Sequence, residues 1–348
     1  MVVAFWLALA IVGYVYVGYP LLLAVWTRLG SRPVARGLIT PSVSIVLVVR
    51  NEATVLRARL ENLLSIDYPD DLRQIIAVSD GSTDETASIL REFEHQVDVV
   101  LLPAGGKARA LNAGVAMAEH DVLVFADARQ AFAPDALRAL VSPLADPRVG
   151  GVSGALVLDV EAEDQRGFGD GVGAYWRFEK WLRLQESRIG STVGATGAIH
   201  AMRRSLWRPL PPEAILDDVL APMRVVLAGF RVVFEDGARA FDCASASAPD
   251  EFRRKSRTLA GNYQLLRFEP RLLVPVLNPI WLQFVSHKIG RLLVPYALLV
   301  LLAASGTLAV TSWFYAVVFA CQVVFYGLAA YGAALEWHGL RRREVSHA

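Results

Sequence analysis

From Val2 to Trp26 the chain carries no charged residue, and that run limits the fold more than any other feature. As a helix it is long enough to cross a hydrocarbon core of about 30 Å. Nothing basic precedes it and no small-x-small cleavage pattern follows, which favours a retained span over a removed leader. Two further apolar runs, Leu292 to Leu308 and Ser312 to Leu335, lie near the other end and are separated by a short turn. Arg28, Arg32 and Arg36 follow the first run, and Arg341, Arg342 and Arg343 follow the last. The positive-inside rule puts both basic flanks in the cytoplasm, and crossing once, then out and back, satisfies it. Between the middle of the chain and the second run, RLLVPVLNPIWLQFVSHKIGR is apolar but broken by Pro275, Pro279 and Lys288. It is expected to lie as an amphipathic helix in the membrane interface.

The expected organisation is a membrane helix in residues 1–27, a soluble domain in 28–270, an interfacial segment in 271–291, two spans in 292–335 and a basic tail in 336–348. That describes an integral protein of the plasma membrane with its soluble domain in the cytoplasm. The 348 residues are 54% hydrophobic and 20% charged, with a mean hydropathy of +0.38. This is too apolar for an ordinary soluble globule and too polar for spans alone. A formal net charge of +1 gives no footprint for a nucleic-acid partner. The two cysteines, Cys243 and Cys321, sit in segments of different character, which argues against a disulfide framework.

Inside the soluble domain, PSVSIVLVVRNEA is a β-branched run that passes directly into a helical pattern, Ala53 to Leu64, with leucines at 56, 60, 63 and 64. QIIAVSDGSTDET repeats the plan of strand, turn and helix, and VDVVLLP and HDVLVFADA add two strands around a helix that starts at Lys107. Alternation of this kind implies α/β architecture: a parallel sheet with helices on both faces and ligands outside the strands' carboxyl ends. Arg50, Asn51 and Glu52, then Asp80, Gly81 and Ser82, then Asp127, Ala128 and Arg129, thereby become neighbours. A dinucleotide oxidoreductase needs a glycine-rich first turn, and VVRNEAT has no glycine.

Each motif has a plain reading beside a chemical one. Asp80-Gly81 is a common turn dipeptide. Lys107 could be a solvated lysine, yet it stands in the first turn of a helix, where anions are favoured. Asp217 and Asp218 head another helix that Gly229 is expected to end, and acids there commonly serve the helix dipole. Arg254 and Arg257, three apart, share a helix face that would also suit phospholipid headgroups. Tyr175, Phe178 and Leu182 form one stripe of a helix expected to pack in the core, and Glu179 and Arg183 stand four apart on it. His200 reads more readily as a packed histidine than as a metal ligand.

Seven pieces in order, VSIVLVVRNEA, VSDGSTDET, GGKARALNAG, VLVFADAR, GATGAIHAMRRSL, ILDDVLAPMRVVLAGFRVVFE and RRKSRTLAG, resemble the membrane-bound branch of the family 2 inverting glycosyltransferases, the branch of the cellulose, chitin and hyaluronan synthases. The resemblance covers most of the chain. It implies a GT-A fold, Rossmann-like in its nucleotide-sugar-binding sheet, and a nucleoside-diphosphate sugar donor, most often a UDP-sugar. By resemblance Asp80, Asn51, Glu52, Lys107, Asp127, Arg129, Arg254 and Arg257 lie on the donor side. Asp218 is the catalytic base with Asp217 beside it, and Thr196 and Gly197 line the acceptor side.

Three positions depart from the family pattern, the first being Ser79, which precedes Asp80 and Gly81 where the family often has Asp-Asp-Gly. The second aspartate of Asp-x-Asp is Arg129, and the tryptophan after Arg257 is Thr258. Three readings of Arg129 stay open: Mg²⁺ or Mn²⁺ held by Asp127 with fewer protein ligands, an arginine that meets the diphosphate itself, or an arginine turned to a surface carboxylate. Loss of the tryptophan removes a sugar-stacking platform and weighs against processive polymer synthesis. The expected function is single transfer to a lipid-linked or glycan acceptor in contact with membrane lipids. A processive synthase, or an inactive scaffold that keeps the fold, are the alternatives. Three spans are few for a polysaccharide channel unless a homo-oligomer builds one.

Overall fold

The structure is a computed structural model that describes residues 1–159, 169–243 and 248–346. It forms two compact units, residues 23–245 with 253–284, and residues 1–22 with 246–252 and 285–348.

The larger unit is built on an eight-stranded sheet in the order β3-β2-β1-β4-β7-β6-β8-β5. Its strands are β1 (Val43–Val49), β2 (Arg73–Asp80), β3 (Asp98–Leu102), β4 (Val122–Ala126), β5 (Ala131–Phe132), β6 (Val149–Asp159), β7 (Ile199–Arg203) and β8 (Arg231–Cys243). The helices of the whole chain are α1 (Val2–Leu29), α2 (Ala53–Leu64), α3 (Thr86–Glu92), α4 (Lys107–Ala116), α5 (Ala136–Val141), α6 (Gly169–Ile189), α7 (Asp217–Leu227), α8 (Ala248–Phe268), α9 (Trp281–Leu308) and α10 (Trp313–Ser346). Strands β3, β2, β1 and β4 are parallel, as the alternating pattern requires. The other half is not: β7 runs antiparallel to both β4 and β6, β6 is parallel to β8, and β5 closes the edge antiparallel. The sheet is mixed because β7 and β5 run against the other six strands.

The apolar pattern explains the layers. Ile45, Leu47 and Val49 point to one face of β1 and pack with Leu56, Leu60 and Leu63 of α2, all fully buried or nearly so. Burial of each such leucine contributes about 2 kcal/mol. On the opposite face α4 lies so close that a Cβ on Gly114 would sit 2.6 Å from Cγ1 of Val46. Register is in step across the parallel strands, Leu47 beside both Ala77 and Ala126. The turns after β1, β2 and β4 therefore emerge along one edge.

Of the expected α6 core stripe only Leu182 is buried; Tyr175 is exposed and Phe178 half-buried. Gly229 ends α7 as expected, at φ +90.

In the smaller unit Phe5 and Ala8 of α1 pack with Ala297, Leu301, Ala304 and Leu308 of α9. Both helices hold a π turn, Tyr14–Gly18 and Val285–Ile289, and the Tyr14 hydroxyl lies 2.7 Å from Ser286 Oγ. Val324, Phe325, Leu328 and Tyr331 of α10 are all exposed. Helices over Val2–Leu29, Trp281–Leu308 and Trp313–Leu335 are long and apolar enough to cross a membrane. The segment 271–291 corrects the expectation of a separate interfacial helix. Pro270–Leu273 is a single 3-10 turn, and the helix that starts at Trp281 runs without a break into Leu308. His287 and Lys288 sit in its π turn. At the other end α10 continues through the expected tail to Ser346, and the tail's side chains lie outside the described residues.

Candidate active site

Three turns at the carboxyl edge of the parallel strands are laced together before any ligand is considered. Asn51 takes a left-handed φ of +53, which asparagine tolerates better than most residues. Its N–H donates to Ser82 Oγ at 3.1 Å, and its Oδ1 accepts the N–H of Thr83 at 2.8 Å. Gly81, at φ +64, permits the closest approach, since a Cβ there would collide with the backbone of Ala104. Behind it the Asp80 carboxylate, 3% exposed as a residue, accepts N–H bonds from Gly105 at 2.7 Å and Gly106 at 3.0 Å. Arg50 stands 3.7 Å from its other side. Asp80 thus anchors the glycine loop that opens α4 and sets the position of Lys107.

Lys107 is the centre of the site. Its Nζ donates to Asp127 Oδ1 at 2.9 Å and lies 3.2 Å from Asp217 Oδ2. Burial alone would lower its pKa, but Asp217, then Asp127 and Asp218, hold it well above the usual lysine value. The ammonium is charged throughout the working pH range. The N-cap position of α7 is held by Leu216, whose side chain makes no capping bond, and Asp217 and Asp218 fall in the helix's first turn. Asp217 is 7% exposed and faces the lysine. Asp218 is placed by its own carbonyl, which accepts the N–H of Ala195 at 2.7 Å.

Gly197 lies between the carboxylates. A Cβ there would stand 3.2 Å from Asp218 Oδ2 and 3.6 Å from Asp127 Oδ2, so the missing side chain keeps a small space open between two acids. Thr196, its neighbour, points away from that space. Its hydroxyl accepts from Arg183 at 2.6 Å, and its N–H donates to Ser153 Oγ at 2.9 Å. The Thr196 side chain, expected on the acceptor side, takes part in holding the loop. Beneath, His200 is buried and stacked on Phe125 at 4.7 Å, and Phe125 stacks in turn on Trp207 at 5.3 Å. Burial pushes the His200 pKa down to about 4, so it is a neutral packed histidine.

Arg129 pairs with a carboxylate, and that carboxylate belongs to Glu52 of the neighbouring turn, 19% exposed as a side chain. Its Nε donates to both carboxylate oxygens of Glu52, at 3.2 and 3.3 Å. Two residues expected to touch a donor are tied to each other, and Arg129 remains 71% exposed as a side chain. Arg254 and Arg257 lie on the exposed face of α8. One turn past Arg257 on the same stripe, the helix reaches the loop before α7: Gln264 Oε1 accepts the N–H of Ile215 at 3.0 Å, and a Cβ on Gly261 would stand 2.5 Å from Leu216 Cγ.

Two working residues escape a reading of motifs. Asn112 of α4 accepts the N–H of Leu210 and donates to its carbonyl, both at 2.8 Å, which holds the approach to α7. Its position in Lys-x-x-x-Leu-Asn was the available signal. Arg59 of α2 donates to the carbonyl of Asp127 at 3.1 Å, and its position within an apolar stripe was the signal there.

A mixed sheet of this order, with carboxylates and one ammonium gathered where the parallel strands end, is a GT-A fold rather than a dinucleotide-binding one. Residues 44–209 match the family model Glycosyl transferase family 2, and that stretch of the chain is a family 2 glycosyltransferase domain. Among relatives, it is 30% identical over 39% of its length to the poly-β-1,6-N-acetyl-D-glucosamine synthase of Staphylococcus epidermidis, of which the match covers 37%. It is 32% identical over 32% of its length to the β-monoglucosyldiacylglycerol synthase of Synechocystis, covering 24% of that protein. The matches thus span less than half of either relative. The solved mannosyltransferase PcManGT from Pyrobaculum calidifontis, in complex with GDP-Man and Mn²⁺, shares the fold at a TM-score of 0.68 and 24% identity, over 95% of this chain and 92% of that one.

Proposed function

We propose that the chain transfers a sugar, with inversion, from a nucleoside-diphosphate donor to a membrane lipid or lipid-linked acceptor, and that Asp218 is the base. The observation that carries this reading is the grouping of Asp127, Asp217 and Asp218 around Lys107 at the carboxyl edge of the sheet. In the reaction an acceptor hydroxyl oxygen bonds to the anomeric carbon as its proton passes to the Asp218 carboxylate. The bond from that carbon to the diphosphate oxygen breaks on the opposite face, and its electron pair leaves with the diphosphate. Lys107, Arg254 and Arg257 are the cations assigned to the leaving group. Asp80 is assigned to the nucleotide end, and the space kept by Gly197 to the reacting atoms.

The donor set also fits a divalent cation in a limited way. Two carboxylates border the gap at Gly197 and an ammonium stands beside one of them, yet no group of three or more His, Cys, Asp or Glu side chains suited to a metal occurs among the described residues. Asp127 would hold Mg²⁺ or Mn²⁺, with diphosphate oxygens and water completing the shell. When bound, the ion supplies positive charge to the leaving diphosphate. Glu52 and Arg129, bound to each other, serve as a strut in this reading rather than as donor contacts.

A lipid acceptor is favoured by the three apolar helices and by the glycolipid synthase among the relatives. The polysaccharide synthase supports a polymer product as the second reading. The positive-inside pattern supports a plasma-membrane enzyme with its catalytic domain in the cytoplasm.

Purified protein in detergent, offered UDP-sugars and GDP-mannose with extracted lipids, is expected to release nucleoside diphosphate and to yield a glycolipid detectable by mass spectrometry. Activity should fall at least tenfold in excess EDTA and return with Mn²⁺. Full activity in EDTA would remove the metal from the account, and no diphosphate release from any donor would favour the scaffold reading.

A further inference from the structure

Arg59 stands among Leu56, Leu60 and Leu63 in the apolar stripe of α2 and is itself only 3% exposed. A guanidinium in such a place has given up its water and must be repaid by fixed partners. Its partners lie in the segment 127–132 or, as Asn62 does, bind that segment in turn. Nε donates to the carbonyl oxygen of Asp127 at 3.1 Å, and the guanidinium lies over the Phe132 ring with Cζ 4.2 Å from the centroid. Nη1 donates to Asn62 Oδ1 at 2.7 Å. Asn62 in turn accepts the N–H of Phe132 at 2.8 Å and donates to its carbonyl at 3.0 Å. Nη2 has no hydrogen-bond partner among the described residues. Burial pushes the Arg59 pKa down to about 9, and the charge of Asp127 works against that loss.

Helix α2 thereby grips both ends of the segment 127–132, and Arg129 in its middle is tied to Glu52, the residue just before the helix. Asp127 is seized twice, by its carbonyl from α2 and by its carboxylate from Lys107. We infer that Arg59 is a positioning residue: it fixes the backbone of Asp127 so that the carboxylate meets Lys107 and the donor diphosphate, taking over part of the rigidity of the 127–129 turn. The inference rests on the donor-side role proposed for Asp127. Misplacement of a binding group by about 1 Å is enough to cost large factors in rate or affinity.

The test uses the full chain in detergent with Mn²⁺, titrated calorimetrically with UDP and with GDP. Arg59→Met should weaken the nucleotide that binds by about tenfold, as expected for a contacting network. Arg59→Lys, which keeps the charge but not the fork, should recover part of that loss. In an Asp127→Ala background Arg59→Met should add nothing, because its effect runs through Asp127. Wild-type affinity in Arg59→Met, or losses that multiply in the double variant, would overturn the inference. If neither nucleotide binds, or Asp127→Ala leaves binding unchanged, the donor role of Asp127 has failed instead. Amide exchange then decides: Arg59→Met must speed exchange across 127–132 while β1 and β2 stay protected, and unchanged exchange there overturns the positioning role.

Discussion

At the scale of single residues the site is an exercise in charge compensation. One ammonium, Lys107, lies within 3.2 Å of two carboxylates and is acted on by a third. His200 stays neutral because burial, seconded by the charge of Lys107, outweighs the pull of Asp217. That has a consequence for stability. The folded-state pKa of His200 is about 4 against an ordinary value of 6.5, so the unfolded chain takes up this proton first as pH falls. Stability contributed by the neutral, buried ring is present above pH 6.5 and is lost between pH 6.5 and 4, by up to about 3 kcal/mol. The melting temperature of His200→Phe should therefore fall less over that window than the wild type's; parallel curves would contradict the assignment. Asp80, Lys107, Asp127, Asp217 and Asp218, singled out in the sequence by motif and by family resemblance, lie near one another in the fold. Motif spacing could not decide where Arg129 pointed, because its partner Glu52 is 77 residues away in sequence and adjacent only once β1 and β4 pair.

At the scale of elements, the legible half of the fold is the half made by local crossovers. Each strand–turn–helix step between Val43 and Ala126 declares itself through β-branched runs and leucine spacing. The second half depends on β7, whose five residues could pair either way and whose antiparallel register is fixed by contacts with two distant strands. The π turns of α1 and α9 likewise leave no periodic trace. Helix α8 shows how an element can serve the site from outside it, since Gly261 and Gln264 brace the loop that delivers Asp217. Gly261→Val should push α8 off Leu216 and lower kcat about tenfold or more, with less effect on melting temperature than on turnover. Unchanged turnover in a folded Gly261→Val protein would detach α8 from the site.

At the scale of the whole molecule, apolar helices that leave valines and aromatics exposed need a lipid solvent. The protein should remain in the membrane pellet after alkaline carbonate extraction, and release into the supernatant would contradict the three spans. The proposed transfer to a lipid or lipid-linked acceptor joins those apolar helices to the acids and cations gathered at one sheet edge. The most direct test of that account is turnover by Asp218→Asn, measured as nucleoside diphosphate released in the presence of acceptor, beside nucleotide affinity by calorimetry. The account predicts a loss of at least about a hundredfold in turnover, the usual worth of a general base, with affinity within about twofold of wild type, because the base acts on the acceptor proton. Near-normal turnover in Asp218→Asn would contradict it.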